Sequence, residues 1–240
     1  MERPFQKLAF RRALTQNSDM KIGSPCKANK QQARSEAKRA ALVEAAIDAF
    51  GAQGFEGASL RDIARNSGAG LAAVSYHFGG KAELYLAAAD AIAAHLQEMT
   101  QPVLENLTDP TGPAPARRVE QALDAVISLV LSDIAPAKWL QFFSRCEMEN
   151  DESFGRIYGR VMTPLIVALS DVLKQAGPSH DSPGETRTRI GALILLIFSL
   201  RSQRNFSTLV LGWRDEPLDL SVVQALVKQV FLPDLYQVRG

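Results

Sequence analysis

The sequence predicts an all-α protein: a small three-helix head near the N-terminus, followed by a larger helical body. Two observations carry this. Apolar residues recur at helical spacing through most of the chain after residue 36, and no stretch shows strand-like alternation or an internal repeat. The 240 residues suffice for one large or two modest domains, and a 46% hydrophobic content can bury a core. The pattern gives nine or ten helices and no sheet.

Residues 1–34 lack periodicity and contain Asn17-Ser18, Gly23-Ser24-Pro25 and Gln31-Gln32, so they read as a mostly unstructured extension. Residues 1–39 hold ten basic side chains (Arg3, Lys7, Arg11, Arg12, Lys21, Lys27, Lys30, Arg34, Lys38 and Arg39) against Glu2, Asp19 and Glu36. The whole chain carries +1, so this surplus of seven leaves −6 on the remainder. A basic end on an otherwise acidic chain implies either a polyanion near that end or a solvated tail. Residues 1–10 have no apolar core of the signal-peptide kind. The longest apolar run, 190–200, is 11 residues, where a membrane span needs about 20. Cys26 and Cys146 make neither a disulfide framework nor a metal site. A cytoplasmic protein without cofactor or metal is expected.

The first predicted helix, 37–53, puts Leu42, Ala45, Ala46, Ala49 and Phe50 on one stripe and is closed by Gly54. Then comes SLRDIARNSGAGLAAVSYHFGGK, residues 59–81. Ser59 followed by Asp62 predicts a capping box, with the hydroxyl taking an orphan backbone N–H and the carboxylate reaching back. Leu60, Ile63 and Ala64 give that helix its buried face. Gly68 closes it, because a residue without Cβ enters the left-handed region at no steric cost. The next helix starts near Gly70 and runs to Phe78, with Ala69, Val74 and Phe78 inward. Leu71, Ala72, Ser75, Tyr76 and His77 are left for solvent or a partner. Gly79-Gly80-Lys81 opens a further helix, where a lysine charge and free backbone N–H groups suit a phosphate. This is the helix-turn-helix layout; the alternative is an ordinary αα-hairpin.

Residues 40–85, including AAIDAFGAQGFEGASLRDIARNSGAGLAAVSYHFGGKAELY, closely resemble the DNA-binding domain of the tetracycline-repressor (TetR) family. The resemblance implies a head at 36–96 with its motif at 59–78, and a helix 71–78 that enters the major groove. The DNA-facing set it implies is Ser59, Arg61, Leu71, Ala72, Ser75, Tyr76, His77 and Lys81; the alternatives are solvated surface side chains for Arg61 and Lys81 and core packing for Tyr76 and His77. Arginine can grip guanine through two bonds, which singles out Arg61. Ala69-Gly70-Leu71 stands where relatives often carry Ser or Thr, and Ser75 where many carry Tyr. The groove-facing surface is therefore small and apolar, suited to thymine methyls. That leaves more weight on Arg61, the basic N-terminal arm and DNA shape.

In the body, a helix from Lys81 to about Thr100 ends before Pro102, and 109–115 is a Pro/Gly linker. Helix 117–132 carries Val119, Leu123, Val126, Ile127 and Val130 on one stripe. Helix 137–149 carries Trp139, Leu140, Phe142, Phe143 and Met148. Helix 154–175 contains Pro164, which should kink or split it. Residues 177–184 form a loop, 185–213 one long helix and 221–231 the last. FFSRCEMEND at 142–151 and IGALILLIFSLRSQRNFSTLVLGW at 190–213 look like the C-terminal domain of CecR-like (YbiH-type) TetR regulators. The effector-binding and dimerisation domain is placed at 115–233.

A helix apolar all round must be covered all round. Residues 190–200 are of that kind, flanked by Arg187, Arg189, Arg201 and Arg204. One face can pack on its own domain; the other needs a partner, most simply a second copy. Ile190, Leu193, Ile197, Val223, Leu226 and Val230 are the expected homodimer interface, arranged as a two-fold four-helix packing; burial in a monomer core is the alternative. Two heads about one turn apart would read a palindrome in double-stranded DNA. Trp139, Phe142, Phe143, Met148, Met162 and Phe198 either line a small-molecule effector pocket or pack as core. Arg145 and Glu149 either supply that pocket's polar groups or pair with each other. Relatives mostly repress and release DNA on ligand binding; a ligand-independent or partner-regulated DNA-binding protein is the alternative. An enzyme is not expected. Ser75 and His77 lie two apart on a helix and do not face each other, and no phosphate loop, nucleophile elbow or metal-ligand spacing occurs. Cys146 is either a redox sensor or inert packing.

Overall fold

A computed structural model describes residues 27–131, 136–149, 152–176, 182–202 and 219–231. Expectations for 1–26, Cys26, the loop at 177–181 and helix residues 203–213 fall outside them. The described residues form α1 (Lys27–Gly57), α2 (Leu60–Asn66), α3 (Leu71–Phe78), α4 (Lys81–Thr108), α5 (Pro115–Leu131), α6 (Ala137–Glu149), α7 (Glu152–Ala176), α8 (Pro183–Ser202) and α9 (Leu220–Phe231). Among the described residues there is no strand. The all-α expectation therefore holds.

Two compact units are present. The first comprises Met1–Gln97 with Ala137–Arg160, the second Glu98–Pro136 with Val161–Gly240. The boundary falls inside α4 and inside α7, so this grouping cuts across the order of the chain. It takes α6 out of the stretch 115–233 that sequence order treats as one body and packs it with the head.

In the first unit, Leu42, Val43, Ala46, Ile47 and Phe50 of α1 are fully buried. Phe50 meets the Tyr85 ring edge-on at 4.8 Å, and Phe142 of α6 lies 5.1 Å from the same ring. Such pairs add about 0.5–1.5 kcal/mol beyond burial. Trp139 is buried and stands edge-on to His95 at 4.6 Å. Lys138 holds Glu44 at 2.7 Å and Asp48 at 3.1 Å. Arg156 joins Glu152 and Asp90, and Arg160 reaches Asp90. Cys146 is buried, with its Sγ 3.2 Å from the Tyr85 hydroxyl. Burial shuts out oxidants, so the thiol behaves as packing rather than as a sensor.

The second unit has its own core. Val103 and Leu107, Val119, Leu123 and Ile127, Ala168 and Val172, Leu193 and Ile197, and Val223 and Val227 come together from five helices. Arg118 is buried and closes the end of α4. Its guanidinium donates to Leu107 O at 2.8 Å, Asp109 O at 3.0 Å and Gln175 Oε1 at 3.1 Å. Those carbonyls would otherwise be orphaned at a helix end.

Four local expectations change. The first helix starts at Lys27, not at 37, so 27–34 is helical rather than irregular. Lys, Ala, Gln and Arg are good helix formers, and the run simply propagates from the packed part of α1. The capping box at Ser59 does not form: Ser59 has extended backbone and no side-chain cap bond, and Asp62 is held by Arg65 at 2.6 Å instead. The helix after Lys81 runs through Pro102 to Thr108. Pro102 is exposed, so the carbonyl it displaces can turn to water, while Val103 and Leu107 beside it are buried. Helix α7 likewise continues unsplit through Pro164, anchored by buried Val161, Ala168 and Val172. Gly54 behaves as expected of a breaker: its φ of 74° interrupts α1.

Candidate nucleic-acid interface

The turn between α2 and α3 is built from its own sequence. Gly68 adopts φ 69°, its N–H donates to Arg65 O, and the Ala69 N–H donates to Ala64 O. The Ser67 hydroxyl donates to Ala64 O at 2.9 Å and accepts from the Ala69 N–H at 3.2 Å. Helix α3 then runs from Gly70 as N-cap to Gly79, whose φ is 85° and whose N–H donates to Ser75 O. Ile63, Ala64, Val74 and Phe78 point into the core. These four seat α3 against α1 and α2 and dictate which face stays outside.

That outer face carries most of the expected set. Arg61, Leu71, Ala72, Ser75 and Tyr76 are exposed, Tyr76 at 82%. A tyrosine so open makes no core contact of its own among the described residues; its ring meets that of its neighbour His77 edge-on at 4.9 Å. Ser59 is half-buried as the α2 N-cap. His77 is half-buried, and burial, then Arg39, then Lys38, hold its imidazole below the ordinary 6.5. Lys81 is partly committed: its ammonium donates to Glu56 O at 3.1 Å and lies 4.9 Å over the Phe55 ring, tying α4 to the end of α1.

Two cations beside this face were not singled out from the sequence. Arg39 lies 5.2 Å over the Phe78 ring, and Lys38 is close enough to act on His77. Their signal was present as a basic run continuing into a helical pattern, but only the packing of α1 on α3 brings it to α3. The Ser75, His77 and Asp62 residue types form no catalytic arrangement, since Asp62 is taken by Arg65. Among the described residues no cluster could hold a metal ion, and no helix is long and apolar enough to cross a membrane.

The expected effector residues fall in both units. Trp139, Phe142, Phe143, Arg145 and Glu149 belong to the first unit, Met162 and Phe198 to the second. Phe143 packs on Phe154 at 5.4 Å, and Arg145 donates to Ala52 O at 3.4 Å. Exposed Glu149 sits beside Gly54. Met162 alone of them lines a cavity within the described part of the second unit, with Leu107, Leu123, Leu165, Leu169 and Ile194 among its walls. That cavity is wholly apolar and about 50 Å³ in volume, where drug-sized ligands need roughly 300–1,000 Å³.

The expected dimer residues also divide. Ile190, Leu193, Ile197 and Val223 are buried in the second unit's own core. They are consumed within the chain because α8 turns that face to α5. Leu226 and Val230 are open at 55% and 66%, and Leu195 at 68%, with Leu196 and Val222 also exposed.

A model described as bacterial regulatory proteins of the tetR family matches residues 42–88, and one described as the C-terminal domain of the HTH-type transcriptional dual regulator CecR matches residues 115–234. The chain is a TetR-family regulator with a CecR-type C-terminal domain. It is 28% identical over 221 residues to the regulator SrpR of Pseudomonas putida, covering 85% of this chain and 98% of that one. It is 28% identical over 180 residues to the dual regulator CecR of Shigella flexneri, covering 72% and 79%. A solved structure of AibR with isovaleryl coenzyme A and operator DNA shares the fold at TM-score 0.55 and 18% identity, covering 81% of this chain and 98% of that one. This TetR-family chain is thus a DNA-binding transcriptional regulator and not an enzyme.

Proposed function

We propose that this regulator acts in the cytoplasm as a homodimeric, ligand-responsive repressor whose two heads lay α3 into the major groove of a palindromic operator. The observation that carries the dimer is the open apolar face on α8 and α9. Five large aliphatic side chains, Leu195, Leu196, Val222, Leu226 and Val230, remain exposed on two helices of one unit. Exposed aliphatic side chains gathered on two neighbouring helices mark an association surface, and a two-fold axis covers them with the same residues of a second copy. Phosphate contacts would come from Tyr76, His77 and the remaining Lys81 donors, and base contacts from Arg61, Leu71, Ala72 and Ser75. Selection of duplexes from a random pool, followed by sedimentation of the complex, tests this. Two protomers per inverted repeat are expected; one protomer on an asymmetric site would overturn it.

His77 gives a pH test. Its lowered value means the free head binds fewer protons than the unfolded chain, so its contribution to stability rises with pH up to about 6.5. A neighbouring phosphate favours the imidazolium, so operator binding takes up a proton. Affinity should therefore rise about threefold as pH falls from about 7.5 to 6. His77→Asn should flatten the profile; an unchanged profile removes His77 from the phosphate contact.

A second reading, ligand-independent binding, is favoured by the small cavity. Operator release by any of a panel of apolar acyl and aromatic compounds supports the responsive reading, since a ligand must bind the non-binding conformation better. Release by none of them supports the second.

A further inference from the structure

Helix α1 begins well before the region that the TetR-family model matches. Its first 15 residues, 27–41, precede that match, which starts at residue 42. Of residues 30–39, only Ser35 and Glu36 are even half-buried. Among the described residues this segment is therefore a helix laid outside the core, meeting the head through Arg39 at its end. What it carries is charge. Lys30, Arg34 and Lys38 follow one another at four-residue steps, so all three are exposed on one face. Glu36 lies about 200° round from Arg34 by helical geometry, on the far side, and accepts from Gln32 at 3.4 Å. No carboxylate pairs with Lys30, Arg34 or Lys38 among the described residues.

This arrangement works against the helix that holds it. Like charges four apart repel by a few tenths of a kcal/mol each. Cations near a helix N-terminus also oppose the macrodipole, and α1 has no acidic residue in its first turn. A surface of this kind is stabilised when a polyanion lies along it. Its position says which polyanion. Lys38 acts on His77 and Arg39 covers Phe78, so the stripe begins at the C-terminal end of α3. From Lys38 back to Lys30 it extends about 12 Å, close to three base-pair steps at about 3.4 Å each.

We propose that Lys30, Arg34 and Lys38 bind the phosphate backbone of DNA flanking the half-site that α3 reads, lengthening the footprint without adding sequence preference. This rests on α3 being the groove-reading helix. The full chain carrying K30Q, R34Q and K38Q together is the test. The probes are the duplex selected by the unaltered protein, once with about two and once with about twelve base pairs beyond each half-site. On the long duplex the logarithmic salt dependence should become shallower by about 0.9 per lost phosphate, up to about three per protomer. Affinity should fall about 10- to 100-fold at low salt. On the short duplex the variant and the unaltered protein should bind alike, and the K30R/K38R chain should behave as unaltered on both. Equal slopes on the long duplex, or an equal loss on both duplexes, overturn the proposal. Preference of the unaltered protein for the selected duplex over a scrambled one is scored separately. Its absence sinks the groove-reading role of α3 and leaves the slope comparison standing on its own. Far-UV circular dichroism of the triple variant should show the helix content unchanged, since all three side chains are exposed.

Discussion

Replacing Leu226 and Val230 together by aspartate should leave a folded monomer whose operator affinity is lower by about 10²- to 10⁴-fold. The range is what is lost when two linked binding events become independent ones. Both side chains are open in the isolated chain, so the change removes nothing from its own core. Val223 and Val227, on the buried side of the same helix, stay in place, as do the Gln224 bond to Asp124 O and the Lys228 pair with Asp124. The thermal transition of the monomer should therefore remain cooperative. In a two-copy packing each aspartate would meet its own kind across the axis or lie in apolar surroundings, and a buried unpaired carboxylate is strongly unfavourable. Sedimentation and operator titration read the two effects independently. A variant that still sediments as a dimer would place the interface elsewhere.

Gly51→Val should lower the stability of the first unit by about 3 kcal/mol, at the upper end of overpacking effects. A Cβ at Gly51 would lie 3.0 Å from Lys138 O and 3.2 Å from Phe142 N, both backbone atoms of α6. Backbone cannot swing aside as a side chain does, so α6 itself has to move. It is held by the buried Phe142 and Trp139 and by the Lys138 ion pairs. Gly51→Ala meets the same two atoms with one carbon only. There the gain in helix propensity of about 1 kcal/mol offsets part of the strain, and a smaller loss follows. Urea denaturation followed by circular dichroism gives both values. Equal midpoints for valine and glycine would show that α6 does not rest on α1 at this point.

Much of the head was legible in the sequence because its constraints are local. Leu60, Ile63 and Ala64 declare one face of α2, Val74 and Phe78 one face of α3, and Gly68 and Gly79 take the left-handed backbone their positions require. The outer face of α3 follows by subtraction, and Arg61, Leu71, Ala72, Ser75 and Tyr76 are all found open. Ser59 misled because a serine three residues before an acid is compatible with a capping box without enforcing one. Arg65 offered Asp62 a charged partner instead.

The amino-acid order by itself determined which stretches are helical, though not where α1 begins or α4 ends, where glycine ends the helices of the head and which side of α3 is free, since each of these depends on residues within one or two turns. Only the tertiary structure decided the rest. Residues 190–200 of α8 are apolar around the whole circumference, so no periodicity could say that Ile190, Leu193 and Ile197 turn inward and Leu195 outward. Nor could order along the chain say that α6 packs with the head, that Lys81 is shared with Glu56, or that Lys38 and Arg39 gather at the end of α3. Those outcomes depend on which surfaces, distant in sequence, exclude water from one another, and that is settled when the helices pack.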